Sequence, residues 1–360
     1  METNPLVTVF IPVYNREKYI LEAVNSILRQ TFTNFELIVV DDGSTDNTPK
    51  ILKSIKDKRL KLFFNKKNMG IPYTRNKGLE ISAGKYIALL DSDDIAIPNR
   101  LEKQLLFFKK HPDCACVGSF EGVIDENSHL KKTIKCRYTN PDYIHSSLLF
   151  FCPISNRSVM AKSSILKALK YKESFDACQD YDLFVRLFLA NYALYNINEI
   201  LVFRREHLDR ITHYKWRISF NKRMEIAKNQ LIKLNFKFTE KDLFNHMYLR
   251  ETHIKRDLFN IDINFIKWAE QWLTKLIIAN IKTRLYPGKA FKSLIGKRWR
   301  VICFFADKDI KHLAIKYFFK SRLFKYALFS LAADLTQHYI NKIICKSKLS
   351  KIYKSTFINF

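Results

Sequence analysis

Two short acidic strings carry side chains that could do chemistry: Asp41-Asp42-Gly43-Ser44 and Asp91-Ser92-Asp93-Asp94, each closing an apolar run. Neighbouring carboxylates repel at neutral pH, and hydrogen-bond donors or a hard cation must relieve the repulsion. Mg2+ or Mn2+ takes one or two protein carboxylates and completes its shell with substrate phosphates and water. The second string is therefore a candidate metal site. Asp-Gly-Ser is also ordinary turn chemistry, and a solvated acidic loop is the plainer alternative for the second string. Asp180-Tyr181-Asp182 opens a helical stretch, where Asp is favoured as a cap whatever else it does. Arg75 and Asn76 could face phosphates or be solvated. His207, beside Arg204-Arg205, could approach an anionic group, although a lone histidine is more often structural. The phosphate cradles GxxxxGK[ST] and GxGxxG are absent, as are GxSxG and HExxH.

The elements that must position these residues alternate regularly. Leu6–Ile11 is a β-branched run stopped by Pro12, and Glu17–Arg29 follows with Ile20, Val24, Ile27 and Leu28 at helical spacing. Phe35–Val40 is a near-continuous apolar run, as in a strand covered on both faces. Pro49–Ile55 reads as a helix, Leu60–Phe64 as a strand, Ile71–Ile81 as a helix, Tyr86–Leu90 as a strand and Asn99–Lys110 as a helix. This spacing predicts βαβ units, an α/β fold and a mostly parallel sheet. Ligands collect at the carboxyl ends of such strands, and both acidic strings fall there. Further on, the pattern predicts strands near Cys116–Phe120 and Ser158–Ala161, a helix over Asp180–Leu189 and two short strands within Ala193–Arg204. Beyond His213 the period is helical over Trp216–Leu234, Lys241–Asn260, Ile263–Leu285, Asp307–Lys320 and Leu323–Ile344.

Charge divides the chain. Of 360 residues, 211–360 hold 31 lysines and arginines against 10 acids, while the remainder of the net +27 leaves residues 1–210 at only +6. A composition of 47% hydrophobic and 14% aromatic residues supports a sizeable core and excludes a disordered or collagen-like chain. Seven cysteines without a CxxC pair argue for a reducing compartment, no disulfide framework and no zinc site. No stretch reaches the ~18 apolar residues of a membrane span, and a strand-like run begins too early for a secretory signal.

In order along the chain, Val9-Phe-Ile-Pro-Val-Tyr-Asn15, Ala23-Val-Asn-Ser-Ile-Leu-Arg-Gln-Thr31, Phe35 to Asp46, Asn68-Met-Gly70, Arg75-Asn-Lys-Gly78, Ala83-Gly-Lys-Tyr86, Leu89 to Asp94 and Gln179 to Leu187 resemble family 2 glycosyltransferases of the GT-A type. The resemblance covers about residues 5–210, and 211–360 match no family pattern. It implies a GT-A, Rossmann-like sheet with flanking helices in a catalytic domain at 1–210, followed by a basic, mainly helical region at 211–360. It places Pro12, Val13, Tyr14 and Asn15 beside the base and ribose of a nucleotide-sugar donor. Asp42, with Asp41 beside it, would accept from a uracil-type base, and Arg75 would lie near the nucleotide. Asp91, Ser92 and Asp93 form the D-x-D element, which holds the ribose and a divalent Mn2+ or Mg2+ bridging the diphosphate. Asp180 takes the general-base position, with Gln179 where the family often has Glu.

The resemblance thus implies an inverting transfer from a nucleotide sugar, UDP-linked by preference, to a glycan or lipid-linked acceptor in bacterial surface polysaccharide synthesis. Processive members carry Q-x-x-R-W and several membrane spans; both are missing, so one sugar per encounter is expected. Two rival readings stand beside it. A nucleotidyltransferase would show a Gly-rich basic signature near its start, and none occurs. A nucleic-acid-binding protein is suggested by the basic charge, yet no RRM, helix-turn-helix or zinc signature is present. No nucleic-acid partner is expected. The +21 region, rich in Lys and Phe, could pack as an ordinary helical unit or dock on an anionic membrane surface. The expected location is cytoplasmic, peripheral on the inner face of the cell membrane.

Overall fold

The structure, a computed structural model, describes residues 4–134, 138–207, 216–250, 261–331 and 356. These residues divide into two compact units. The first holds residues up to Pro141, Pro153–Ser219 and Thr356; the second holds Asp142–Cys152 and the described residues from Phe220 to 331.

The first unit is built on a nine-stranded sheet. In chain order its elements are β1 (Val7–Val13), α1 (Ile20–Leu28), β2 (Phe35–Asp41), α2 (Thr48–Ser54), β3 (Leu60–Phe64), α3 (Ile71–Ile81), β4 (Tyr86–Leu89), β5 (Ile95–Ala96) and α4 (Arg100–Lys110). Then come β6 (Cys114–Ile124), β7 (Leu130–Ile134), β8 (Met160–Lys162), α6 (Ser163–Leu169), α7 (Gln179–Leu189) and β9 (Ala193–Arg205). The short helix α5 (Pro141–Ser147) lies between β7 and β8 in sequence.

Strand order is β3-β2-β1-β4-β8-β6-β9-β5, with β7 on β6. The four strands β3, β2, β1 and β4 are mutually parallel, as strand–helix alternation requires. Beyond β4 the sheet becomes mixed: β8 runs antiparallel to β4 and β6, while β6 and β9 are parallel. The central strands are buried on both faces, with Val7, Val9, Phe10, Ile11 and Leu37–Val40 fully enclosed. Cys114 and Cys116 are buried on β6 and form no disulfide, and burial pushes the Cys114 thiol up to about 12.

Two local differences from the sequence pattern have physical causes. Ala193–Arg205 is one strand rather than two, because Asn198-Glu199 bulge outward between the pairs Ser119↔Ile197 and Phe120↔Ile200. Apolar periodicity breaks at that bulge, which imitates a turn.

The second unit is helical: α8 (Trp216–Lys233), α9 (Glu240–Tyr248), α10 (Ile263–Thr283), α11 (Gly288–Phe304) and α12 (Lys311–Lys320). Thr239 and Asp242 form a reciprocal capping box at the start of α9, and Asp262 caps α10 through the Phe265 amide at 2.7 Å. Residues 251–260 and 332–344, included in the expected helices, lie outside the described residues. Helix α11 is absent from the sequence expectation. Its two glycines lower helix propensity, and its five cations, two of them buried, interrupt the apolar stripe. Yet Gly296 admits close approach: a Cβ there would lie 2.1 Å from the carbonyl carbon of Tyr326. Asp142–Cys152 group with these helices through definite contacts. Gln230 Nε2 donates to the Leu148 carbonyl at 2.8 Å, and the Arg298 guanidinium lies 5.1 Å from the Phe151 ring.

Candidate active site

Parallel pairing brings the acidic strings together. β1 lies between β2 and β4, with Val13 opposite Asp41 and Phe10 opposite Leu89. The chain leaving β2 at Asp42 and the chain leaving β4 at Leu90 therefore flank the loop after β1, which carries Tyr14 and Asn15. The short β5 then pairs with β9, Ile95 opposite Phe203. That pairing sets Asp91–Asp94, just before β5, against Arg204–His207, just after Phe203. Pro12 and Val13 end β1 itself, and Tyr14 is exposed.

The loops are locked to one another. Asn15 adopts a left-handed conformation (φ 49°), which Asn tolerates better than most residues. Its amide donates to Ser44 Oγ at 2.8 Å, and its Oδ1 accepts from the Thr45 amide at 2.8 Å. Gly43, at φ 77°, passes so close to Lys67 that a Cβ would meet its carbonyl carbon at 2.6 Å. The two aspartates of this string differ sharply. Asp42 accepts from Asn65 Nδ2 (2.7 Å) and from the amides of Met69 (3.0 Å) and Gly70 (2.9 Å). Asp41 uses Oδ1 for the Ser44 amide at 2.7 Å, while its buried Oδ2 has no hydrogen-bond partner. Burial raises the Asp41 carboxyl above its ordinary range.

The second string sits among cations. Asp91 has Arg75 Nη2 at 3.4 Å on one oxygen and Arg157 Nη2 at 3.5 Å on the other. Asp93 Oδ2 lies 2.9 Å from His207 Nε2 and 3.7 Å from Arg16 Nε. Burial alone would raise the Asp93 carboxyl, but the hydrogen bond to His207 and the charges of Arg157 and Arg16 hold it below its ordinary value. Asp94 is fully buried, accepting from the Arg205 amide at 3.0 Å with Arg157 Nη1 at 3.1 Å. Its carboxyl is raised well above the usual range by burial and by Asp93 and Asp91, against the opposing pull of Arg157. Ser92 is buried between them.

Arg205 fastens the rim. Its guanidinium donates to the carbonyls of Asp93 (3.2 Å), Asp125 (3.2 Å) and Glu126 (2.9 Å) and to Ser128 Oγ (2.9 Å), and it pairs with Glu22. Removing one partner of such a buried network typically costs ~3–5 kcal/mol.

Asp180 stands in the first turn of α7, half-buried, after Cys178 in a left-handed conformation (φ 58°). The helix start is anchored by Asp182, which pairs with Lys172 at 3.1 Å and Arg186 at 2.7 Å. Tyr171 lies between this helix and Arg75. Its ring lies 5.4 Å from the Arg75 guanidinium, and its hydroxyl donates to Asn156 Oδ1 at 3.2 Å. Burial raises the Tyr171 hydroxyl, and the negative charges of Asp180 and Asp91 add to that shift. Asp91, Arg75 and Asp180 thus act on one phenol.

Sequence reasoning passes over Arg16, Arg157 and Glu121, names Arg205 only as a neighbour of His207, and leaves His207 undecided. Among these only His207, following the last strand-like stretch, carried a sequence signal. Arg16 lies one residue past the left-handed Asn15. Arg157 and Glu121 sit on segments without a motif. Among the described residues no three His, Cys, Asp or Glu side chains gather as a metal cage.

A parallel α/β half-sheet continues into a mixed sheet, and acidic loops converge at its strand carboxyl ends. Known proteins share this arrangement. Residues 8–172 match the profile of Glycosyl transferase family 2. An uncharacterized glycosyltransferase of Methanocaldococcus jannaschii is 38% identical over 203 residues, 55% of this chain and 70% of its own length. EpsE of Bacillus subtilis, also named a glycosyltransferase, is 34% identical over 215 residues, 58% of this chain and 76% of its own. The crystal structure of S. aureus TarS 1–349 in complex with UDP-GlcNAc superposes with a TM-score of 0.56 at 19% identity. The superposition covers 87% of this chain and 91% of that one. The chain belongs to glycosyltransferase family 2 and is a glycosyltransferase with the GT-A fold.

Proposed function

We propose that the protein is an inverting, non-processive glycosyltransferase that moves one sugar from a UDP-sugar to a hydroxyl of a glycan or lipid-linked acceptor in bacterial surface polysaccharide synthesis. The observation that carries this reading is the convergence of Asp91, Asp93 and His207 beside the loops after β1 and β2. TarS, a structural neighbour, has been crystallised in complex with UDP-GlcNAc and with UDP, which supports UDP as the nucleotide.

In this reading Pro12, Val13, Tyr14 and Asn15 border base and ribose, and Arg75 faces the nucleotide. Asp42 is already committed to three donors within the chain. Asp41, with a buried oxygen still unpartnered, is the better-placed acceptor for the base. Asp91 and Asp93 present oxygen ligands that suit Mg2+ or Mn2+, and two carboxylates are as many as such an ion takes when phosphates complete its shell. When bound, that ion supplies Lewis-acid stabilisation of the leaving diphosphate. Asp180 takes the acceptor proton as its oxygen attacks the anomeric carbon. The bond from that carbon to the diphosphate oxygen breaks with its electron pair on UDP, and attack from the opposite face inverts the centre.

The second unit supports docking on an anionic membrane surface. Among the described residues no helix is long and apolar enough to cross a membrane. Phe304, Phe319, Leu328 and Phe329 are nonetheless exposed, with Lys316, Lys320, Arg322 and Lys325 exposed among them. Rings of Phe318 link Phe304, Phe319 and Phe324 at 5.2–5.3 Å, so part of this apolar surface is continuous. Basic side chains gain ~1 kcal/mol each near an anionic leaflet. Co-sedimentation with phosphatidylglycerol vesicles at low salt is expected, weakened in a Phe319→Asp/Phe329→Asp variant. Absence of binding by the wild type would refute docking.

The test of the reaction is a screen of nucleotide sugars with Mn2+ or Mg2+, following UDP release and the anomeric configuration of the product. UDP release from one donor class with a β-linked product from an α-linked donor is expected. A retained configuration, or turnover of no nucleotide sugar, would contradict it.

A further inference from the structure

Arg157 has no role in the scheme above, yet it sits at its electrostatic centre. It lies on the 3-10 turn Asn156–Ser158 that leads into β8. Three carboxylates from separate segments surround it: Asp91 Oδ2 at 3.5 Å, Asp94 Oδ2 at 3.1 Å and Glu121 Oε1 at 3.5 Å. Burial would lower its affinity for a proton, but Asp94, Glu121, Asp91 and Asp93 together raise it. Arg157 Nε, Glu121 Oε1 and Asp94 Oδ2 are all buried without a geometrically sound hydrogen bond. The guanidinium is therefore shared among three anions rather than locked to one of them.

The turn that carries it is rigid. Ser158 Oγ accepts from the Ser119 amide at 3.0 Å, the Ser158 carbonyl accepts from Gln104 Nε2 at 2.8 Å, and Asn156 receives the Tyr171 hydroxyl. Asp94 is pinned from the other side by the Arg205 amide, and Asp91 has Arg75 on its second oxygen. A fixed cation thus faces one oxygen of Asp91 while a second fixed cation faces the other.

We propose that Arg157 is a positioning residue: by pairing Asp91 while compensating the buried Asp94 and Glu121, it fixes the D-x-D carboxylate for the nucleotide diphosphate. This rests on the donor-site reading above. Partners one layer behind ligating groups typically cost about 10–100-fold in affinity or activity when removed. A residue that only supports the fold would reduce the amount of folded protein and leave constants of the folded fraction unchanged.

The experiment uses the full chain and UDP with Mn2+ as probe. In Arg157→Gln the Kd for UDP and the donor KM should rise together, about tenfold or more, with kcat changed far less. Arg157→Lys, which keeps the charge, should recover most of that loss. Glu121→Gln neutralises one of the three anions that hold the guanidinium in place, without touching the D-x-D loop, and should produce a smaller rise in the same two constants. A folded Arg157→Gln with wild-type Kd and KM, or one whose kcat alone falls, overturns the proposal. Should Arg157→Gln fail to fold, unchanged constants in Glu121→Gln overturn it instead. A wild type that binds no UDP at all defeats the donor reading itself. That outcome is distinct from a binding wild type matched by both variants.

Discussion

Each unit holds a buried histidine and an arginine at least partly buried, and the partners decide what they are. In the first unit His207 meets the Asp93 carboxylate at 2.9 Å, and Arg157 meets three carboxylates. In the second, His246 accepts from the Trp272 indole at 3.0 Å on Nδ1 and faces the Leu149 carbonyl at 3.0 Å on Nε2. Arg298 there donates to the Arg250 carbonyl at 2.7 Å and lies over the rings of Phe150 and Phe151. Opposed charges make a place whose electrostatics respond to a ligand, whereas carbonyls and rings make a scaffold. Burial of a polar side chain does not by itself mark a functional site; burial against groups of formal charge at a strand's carboxyl end is the informative case.

The sharpest way to break this contrast is at Asp180. Asp180→Asn keeps the shape of the α7 turn and removes the base, so transfer should fall by about 10²–10⁴-fold. Melting of the second unit should not move. Steady-state rates with a responsive donor and acceptor check it; unchanged turnover removes Asp180 from the chemistry.

The histidine pair offers the next largest effect, read as pH dependence. Burial lowers His246 from 6.5 to about 4, so the folded state holds it neutral. Its contribution is present above the unfolded pKa near 6.5 and is lost as pH falls from there toward 4, in all ~3 kcal/mol at the lower limit. Urea denaturation at pH 7 and pH 4.5 should show wild type losing more stability than His246→Gln. Equal losses would mean that His246 is not held neutral by burial.

The smallest effect sharpens the scaffold side alone. Gly296→Ala would place a Cβ 2.1 Å from the Tyr326 carbonyl carbon, and overpacking of this kind costs ~1–3 kcal/mol. The midpoint of urea unfolding should drop while UDP affinity stays at the wild-type value. A variant as stable as wild type would show that the two segments can part without cost.

Much of the first unit was legible in the sequence because parallel β-strands buried on both faces write continuous apolar runs, and their acidic ends interrupt those runs abruptly. Asp91 and Asp93 stand out in that way as candidates. Arg157 and Glu121 were not, because an ion pair between residues 36 apart in sequence leaves no local pattern. The same holds for the link between Asp93 and His207, which depends on a two-residue strand, β5, too short to give a period. Helix α11 gives a weak signal for a different reason: tertiary contacts place Gly296 against helix propensity and bury Lys297 and Arg298 against the amphipathic pattern.

Donor binding at the junction of the β1, β2 and β4 loops is tested most directly by calorimetric titration of UDP with and without Mn2+. Wild type and Asp180→Asn should bind UDP with similar affinity when Mn2+ is present, while Asp93→Ala should lose the Mn2+-dependent part of that affinity. Equal, metal-insensitive binding by all three proteins would contradict the assignment of the acidic loops to the donor.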